Sequence, residues 1–323
     1  MKLEAFYRDA VRIGIANDLR DKEEIDRLLR EEKERFEKMK PEEKEDYDAD
    51  RLFNPFADTR ILFGDPGTGV KRALVGIDME TPEILLAYLL NKDKGRKIDL
   101  VVAHHPEGRA LARLHEVMRL QADILAACGV TIAAAEHLLD KRIGEVERRL
   151  LPVNHDRAVS AARALGLPFI CVHTPADNCV TRYLQKRIDK EKPLRLKDLL
   201  KLLLEIPEYK ASARRQVAPR IVNGAESNRC GRIQVDMTGG TEGAKELLDK
   251  CAAAGTSTLV GMHFSEEFLE QAKKVAINMV IAGHIASDSL GLNLLLDEIE
   301  RKERLEVFGI SGFERIRRGA KKN

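Results

Sequence analysis

Two adjacent histidines close an apolar run, Asp99-Leu100-Val101-Val102-Ala103-His104-His105-Pro106. Such a run reads as a buried strand, and Pro106 forbids further regular pairing. The imidazoles are thereby delivered to the carboxyl edge of a sheet, where open α/β folds hold their ligands. Neighbouring strand residues face opposite ways, but a turn forced near Pro106 can bring both rings to one pocket. Taken alone, the pair has another reading, as loop histidines that are solvated or bonded to backbone. The pattern recurs, however. Pro168-Phe169-Ile170-Cys171-Val172 is followed by His173-Thr174-Pro175-Ala176-Asp177, and the run from Ser257 to Met262 ends in His263. A further run, Asn278-Met279-Val280-Ile281-Ala282, ends at Gly283-His284-Ile285-Ala286-Ser287-Asp288. A helix beginning at Ile285 would project His284 and Asp288 from one face, four residues apart.

The strand-end groups His104, His105, His173, Asp177, His284 and Asp288 form a mixed imidazole and carboxylate set. The set is larger than one tetrahedral ion uses. Two ions about 3.5–4 Å apart, bridged by a carboxylate and a water, suit it better. The lack of thiolates disfavours a structural zinc site and suits Zn, Mn or Fe. His173 and His263 are candidate proton shuttles, since a free imidazole titrates near ~6.5. Cys171, inside a strand, reads as a small hydrophobe. His115, His137 and His155 fall within or beside helical segments and lack the strand-end context.

Around these groups the chain alternates strand and helix. Residues 2–50 are dense in charge, with Ile25, Leu28, Leu29 and Phe36 at helical spacing and Pro41 as punctuation, which predicts a helical N-terminal extension with one thin apolar face. Arg60–Gly64 and Arg72–Asp78 read as strands around the turn Asp65-Pro66-Gly67-Thr68-Gly69. Thr81-Pro82-Glu83 caps a helix to about Leu90. One long amphipathic helix is expected after Pro106, burying Leu111, Leu114, Met118, Ile124 and Leu125. Arg182–Tyr209 reads as helical, and Lys210–Arg229 as an irregular linker or flap.

In the second part, a strand from Gly231 leads through Thr238-Gly239-Gly240-Thr241-Glu242-Gly243 to a helix at Ala244–Ala253. No Gly-Lys-Ser/Thr follows these glycines, so a P-loop is excluded and a tight turn is expected. Residues 71–105 and 231–263 share strand, Thr-led helix start, helix, apolar strand and terminal histidine, an echo that predicts internal duplication. The fold class is α/β: two similar halves of mixed sheets flanked by helices, with the metal site in the cleft between them. The expected division is 1–55 charged helical extension, 56–180 first half, 181–229 helical insertion and linker, and 230–323 second half.

Composition sets the outer bounds. The chain has 323 residues, 44% apolar and 33% charged, and a net charge of +2, which gives no overall attraction to nucleic acid or an anionic membrane. The basic tail Arg315–Lys322 reads as a solvated terminus. Five scattered cysteines without Cys-x-x-Cys point to a reducing compartment, and no signal peptide or ~18-residue apolar span is evident. A cytoplasmic location is expected.

The blocks "DLVVAHHP", "FICVHTPAD", "DMTGGTEG" and "VIAGHIASD" resemble, in order, the signature blocks of the Nif-three-like family, also labelled GTP cyclohydrolase I type 2. The resemblance runs from about Asp58 to Glu300, and "ALVGIDMETPE" is similar to the family's strand and turn ahead of His-His-Pro. It implies a duplicated α/β fold, a dinuclear centre held by His104, His105, Asp177, His284 and Asp288 with His173 beside it, and a ring-shaped hexamer whose sites face an inner cavity. Three departures stand out. Asp288 occupies a position where the family usually has glutamate. Phe56-Ala57-Asp58-Thr59 stands for the usual Trp-Asp-Asn, in a chain with no Trp. The N-terminus and the stretch between His105 and His173 are longer than usual. Two functions are compatible with these features: a metal-dependent hydrolase of a nucleotide or related small molecule, with GTP ring opening implied by the family label, or a non-enzymatic protein of regulation, interaction or metal handling. Asp-His-His phosphoesterase chemistry is set aside, because Ala103 precedes His104.

Overall fold

Leu3, Phe6, Tyr7, Ala10, Val11 and Ile13 recur at helical spacing. In the computed structural model, which describes residues 1–92 and 97–318, they form the buried face of α1 (Leu3–Ala16). That face packs into the largest apolar cluster of the molecule. α2 (Lys22–Lys38) differs. Ile25 is its buried residue, Leu28, Leu29 and Phe36 are half-buried, and its many charges face water. Pro41 opens α3 (Pro41–Glu45) at the first helical position.

The first sheet follows. Its strands are β1 (Thr59–Phe63), β2 (Arg72–Gly76) and, after α4 (Thr81–Lys92), β3 (Leu100–Ala103). The single long helix expected after Pro106 is instead α5 (Gly108–Ala112), α6 (Leu114–Val117) and α7 (Leu120–Ala127). Arg113, at φ −109° and ψ 13°, breaks the first junction. Gln121 donates from Nε2 to the carbonyls of Gly239 and Thr241, so α7 is placed by a tertiary contact. α8 (Ile132–Leu150), α9 (Arg157–Leu165) and β4 (Phe169–Val172) complete this part.

α10 (Thr174–Glu191) begins directly after β4, earlier than the expected start at Arg182, and α11 (Leu196–Leu204) and α12 (Pro207–Arg214) follow. The segment expected to be irregular contains the end of α12 and a strand, β5 (Arg220–Asn223), which pairs antiparallel with a later strand. Then come β6 (Arg232–Asp236), α13 (Leu247–Ala253), β7 (Thr256–Gly261), α14 (Glu266–Lys274), β8 (Asn278–Ile281), α15 (His284–Glu300) and β9 (Glu306–Gly309). α13 starts later than the expected Ala244. β9 returns to the first sheet beside β2. The basic tail is described only as far as Arg318; residues 319–323 lie outside the described part.

The two sheets repeat one topology. The first is ordered β1-β4-β3-β2-β9 and the second β5-β8-β7-β6. In each, an edge strand runs antiparallel to its neighbour and the next three strands are parallel. Even the irregularity is shared: register shifts between Ile61 and Phe63 in β1, and between Ile221 and Asn223 in β5. The repeat is compatible with the internal duplication. β3 and β4 are apolar throughout because both their faces are covered, as parallel strands require.

α10 and α15 form the layer between the sheets. Ala176, Cys179, Leu292, Leu295 and Leu296 face the first sheet's core, while Val180, Leu184, Ala286 and Leu290 face the second's. Outer layers cover the remaining faces, α4 and α9 on the first sheet and α7, α8, α13 and α14 on the second. The two central helices approach so closely at Gly291 that a Cβ there would lie 2.5 Å from the Ala176 carbonyl oxygen. That backbone cannot move aside without shifting the helix. Gly291→Ala is therefore expected to cost about 1–3 kcal/mol by overpacking. Urea unfolding checks this: the midpoint should fall with the slope unchanged, and an unaltered midpoint would show that the crossing tolerates a methyl group.

Candidate metal centre

The first sheet's ladder carries on past the end of β3. His104 N–H donates to the Gly76 carbonyl (2.9 Å) and His105 N–H to that of Ile77 (3.0 Å), so both histidines are fixed as the last rungs before Pro106. Their rings lie 5.3 Å apart at 67°. One strand over, His173 caps α10, whose second residue is Pro175 and whose first turn contains Asp177. From the second half, Gly283 caps α15 with φ 108°, a conformation that glycine alone adopts readily, and His284 is the first helical residue. Ser287 Oγ donates to the Gly283 carbonyl (2.6 Å) and bonds Tyr209 Oη (2.9 Å), which steadies this helix start. Each central helix thus opens with a His-x-x-x-Asp pair, offset by one residue: His173 precedes α10 while His284 belongs to α15.

The five residues expected to ligate metal converge. His104 Nε2 lies 3.2 Å from Asp177 Oδ1. His105 Nε2 lies 3.4 Å from His284 Nε2 and 3.4 Å from Asp288 Oδ2. His284 Nε2 is 3.5 Å from the same Asp288 oxygen, and His104 Nδ1 is 4.0 Å from it. His173 joins them, with its ring centroid 4.9 Å from that of His104 and Nε2 3.7 Å from Asp177 Oδ2. His263 stands at the edge, its ring 4.9 Å from that of His284. His115, His137 and His155 lie outside the donor groups formed by the described residues.

Two carboxylates outside the expected set orient the rings. Asp58, fully buried, has Oδ2 2.8 Å from His173 Nδ1 and accepts from Thr174 Oγ1 at 2.6 Å. Asp78 has Oδ1 2.6 Å from His105 Nδ1. Each carboxylate accepts the Nδ1 proton and leaves Nε2 directed into the cluster, as carboxylates do behind metal-bound imidazoles. A signal for Asp58 was present in the Phe56-Ala57-Asp58-Thr59 segment set against Trp-Asp-Asn. Asp78, two residues beyond β2, obeys the same strand-end rule as the histidines.

The electrostatics are unbalanced. Burial pushes His104 well below its ordinary value and lowers His284 as well. Burial also pulls on His105, but the nearby charge of Asp288 and the hydrogen bond to Asp78 outweigh that and raise it. His173 is held up to about 9, since Asp177 and Asp58 more than offset its burial. Burial pushes Asp177 up to about 6. Among the described residues, both oxygens of the fully buried Asp288, and His104 Nδ1, have no hydrogen-bond partner. Unpaired buried polar groups are costly, and a carboxylate most of all. A divalent cation would satisfy all three atoms, and His104, His105, His284, Asp177 and Asp288 offer nitrogen and oxygen atoms within 4.8 Å of one another in overlapping groups. The donor set fits Zn, Mn or Fe chemistry.

A cleft of about 300 Å³ opens from the cluster, with His105, His173, His263 and His284 on its wall. The glycine turn borders it. Gly239 and Gly240 take φ 100° and 84°, and a Cβ on Gly239 would meet the Gln121 side chain at 2.6 Å. The turn is held from behind by Gln121, in keeping with the tight turn expected there.

No family model matches the sequence, and no curated protein does. Solved structures match in fold. A NIF3 superfamily protein from Sphaerobacter thermophilus is similar over 80% of this chain and 92% of its own, with 27% identity and a TM-score of 0.69. Reduced HcgD from Methanocaldococcus jannaschii matches over 79% of this chain and 92% of its own, with 12% identity and a TM-score of 0.50, a likeness of fold alone.

Removing Asp58's charge while keeping its shape tests the orientation of His173. In metal-free Asp58→Asn, the His173 imidazole should titrate clearly below the value of about 9 set partly by that carboxylate, as followed by NMR. An unchanged titration would show that Asp177 alone sets it.

Proposed function

We propose that this chain, a member of the Nif-three-like family by its fold and its signature blocks, is a metal-dependent hydrolase of a small molecule. The observation that carries the reading is Asp288, a fully buried carboxylate with no hydrogen-bond partner among the described residues, set among converging imidazoles at the floor of an open cleft. His104, His105, Asp177, His284 and Asp288 would hold two divalent ions, Zn, Fe or Mn. Bound ions supply Lewis acidity and bring the pKa of a water down toward ~7. The remaining work falls to the chain itself. Asp58 holds the Nδ1 proton of His173, so His173 takes up or returns a proton at Nε2, facing the cluster. His263, beside His284 on the cleft wall, moves protons at the opposite side. α10 and α15 keep the acidic groups in place from the two halves. The family label puts nucleotides, GTP ring opening among them, on the panel of substrates to assay, beside smaller cyclic amides.

The test is hydrolysis of nucleotides, phosphodiesters and neutral cyclic amides by metal-reconstituted protein against Asp177→Ala. Loss of a metal-holding carboxylate should lower the rate more than about a hundredfold. Equal background rates in both proteins, across the panel, would sink the hydrolase reading and favour metal handling or regulation.

The family resemblance also supports a homohexameric ring. Leu85, Leu86 and Leu89 on α4 are exposed, an apolar stripe of the kind that subunit contacts cover. Light scattering at working concentration should give the mass of a hexamer, and a monomer would contradict it. Among the described residues no helix is long and apolar enough to cross a membrane.

A further inference from the structure

The cleft beside the histidine cluster has a charge and a texture that narrow what can enter it. Its volume, about 300 Å³, is at the small end for ligand sites. Leu111, Leu114, Met237, Met262, Phe264 and Phe268 supply an apolar and aromatic wall. Among the described residues lining it there is no lysine and no arginine. The charged groups beyond the cluster are acidic. Glu242 is already engaged, accepting from Ser265 N–H (2.9 Å) and Ser265 Oγ (2.6 Å) at the start of α14. Asp236 is not engaged in this way. It ends β6 with solvent access on the cleft wall, where close packing and then the like charge of Glu242 raise its carboxyl to about 6.

Side-chain recognition of a polyphosphate uses lysine or arginine. Gln121 binds carbonyls of the glycine turn, and the charged side chains that a ligand tail would meet beside it, Asp236 and Glu242, are carboxylates. A phosphate chain reaching past the ions would meet repulsion, while a ring with N–H donors would find both an apolar bed and an acceptor.

From this wall we infer that the cleft selects a compact, uncharged or cationic ring, its apolar body against Phe264 and Leu114 and an N–H edge at Asp236, and that it excludes a triphosphate tail. The inference rests on the proposed metal hydrolase and names its substrate class. A base-like or cyclic-amide substrate fits it, and a nucleoside triphosphate does not.

Hydroxamates separate the parts of this claim, because one chelating head can carry different bodies. Binding to zinc-loaded protein is measured by calorimetry, without reference to turnover. Benzohydroxamate should bind at least about tenfold tighter than acetohydroxamate, since only the first buries a ring. 4-Amidinobenzohydroxamate should bind at least about tenfold tighter than 4-carboxybenzohydroxamate, and Asp236→Asn should erase most of that preference while leaving the benzo-to-aceto ratio intact. GTP at millimolar concentration should fail to displace benzohydroxamate. Equal affinity for the phenyl and methyl heads, a preference for the carboxylate, an Asp236→Asn variant that keeps the amidine preference, or displacement by GTP would each overturn the inference. If zinc loads but GTP displaces the probe, the hydrolase reading survives and the substrate class falls. If no hydroxamate binds at all, the metal reading falls first and takes this one with it.

Discussion

The burial of Asp288 at the start of α15 is the constraint to which the rest of the site answers. A carboxylate without a donor is expensive in a protein interior, and here one of its oxygens lies 3.4, 3.5 and 4.0 Å from nitrogens of His105, His284 and His104. Nothing in the apolar layers benefits from that arrangement. The sheets and central helices instead bring it about. β3 and β4 end side by side, α10 starts at the end of β4 and α15 at the end of β8, and Gly291 lets the two helices close on each other. Polar groups from four chain segments reach one point because the same sheet topology is used twice, with its carboxyl edges facing one cleft.

The departures from the family pattern take on a physical meaning in this setting. Asp288, one methylene shorter than the usual glutamate, still lies 3.4 and 3.5 Å from the His105 and His284 nitrogens. The fully buried Phe56, in the segment where the family has tryptophan, packs against α1 at Gly14, where an added Cβ would meet its ring at 2.9 Å. Gly14 also abuts Pro175, beside His173. The charged N-terminus is therefore tied through α1 to the turn that carries Asp177.

The strand-end histidines were legible in the sequence because buried parallel strands are written as short apolar runs, and a polar residue at the end of such a run stands out. The pairing of His284 with Asp288 was legible from its spacing, whereas the matching helix start after His173 was not, since α10 was expected only from Arg182. Other features depend on partners far along the chain. α5, α6 and α7 read as one helix, since no local signal reveals that Gln121 will bond Gly239 and Thr241. β5 and β9 were missed because edge strands are half-exposed and lack an apolar run; Arg220-Ile221-Val222-Asn223 and Glu306-Val307-Phe308-Gly309 show it. Asp58 and Asp78 carry a sequence signal, one in the segment set against Trp-Asp-Asn and one past a strand end, but only the fold sets them behind His173 and His105. The motif echo between the halves hinted at repetition, but only the strand order and the matched register shifts display it.

Anomalous diffraction from crystals of the metal-reconstituted protein, recorded at the absorption edge of the loaded ion, tests the central claim most directly. Two peaks enclosed by His104, His105, Asp177, His284 and Asp288 are predicted, with His173 alongside. No peak at that cluster, or peaks only at outlying histidines such as His115 or His155, would contradict it.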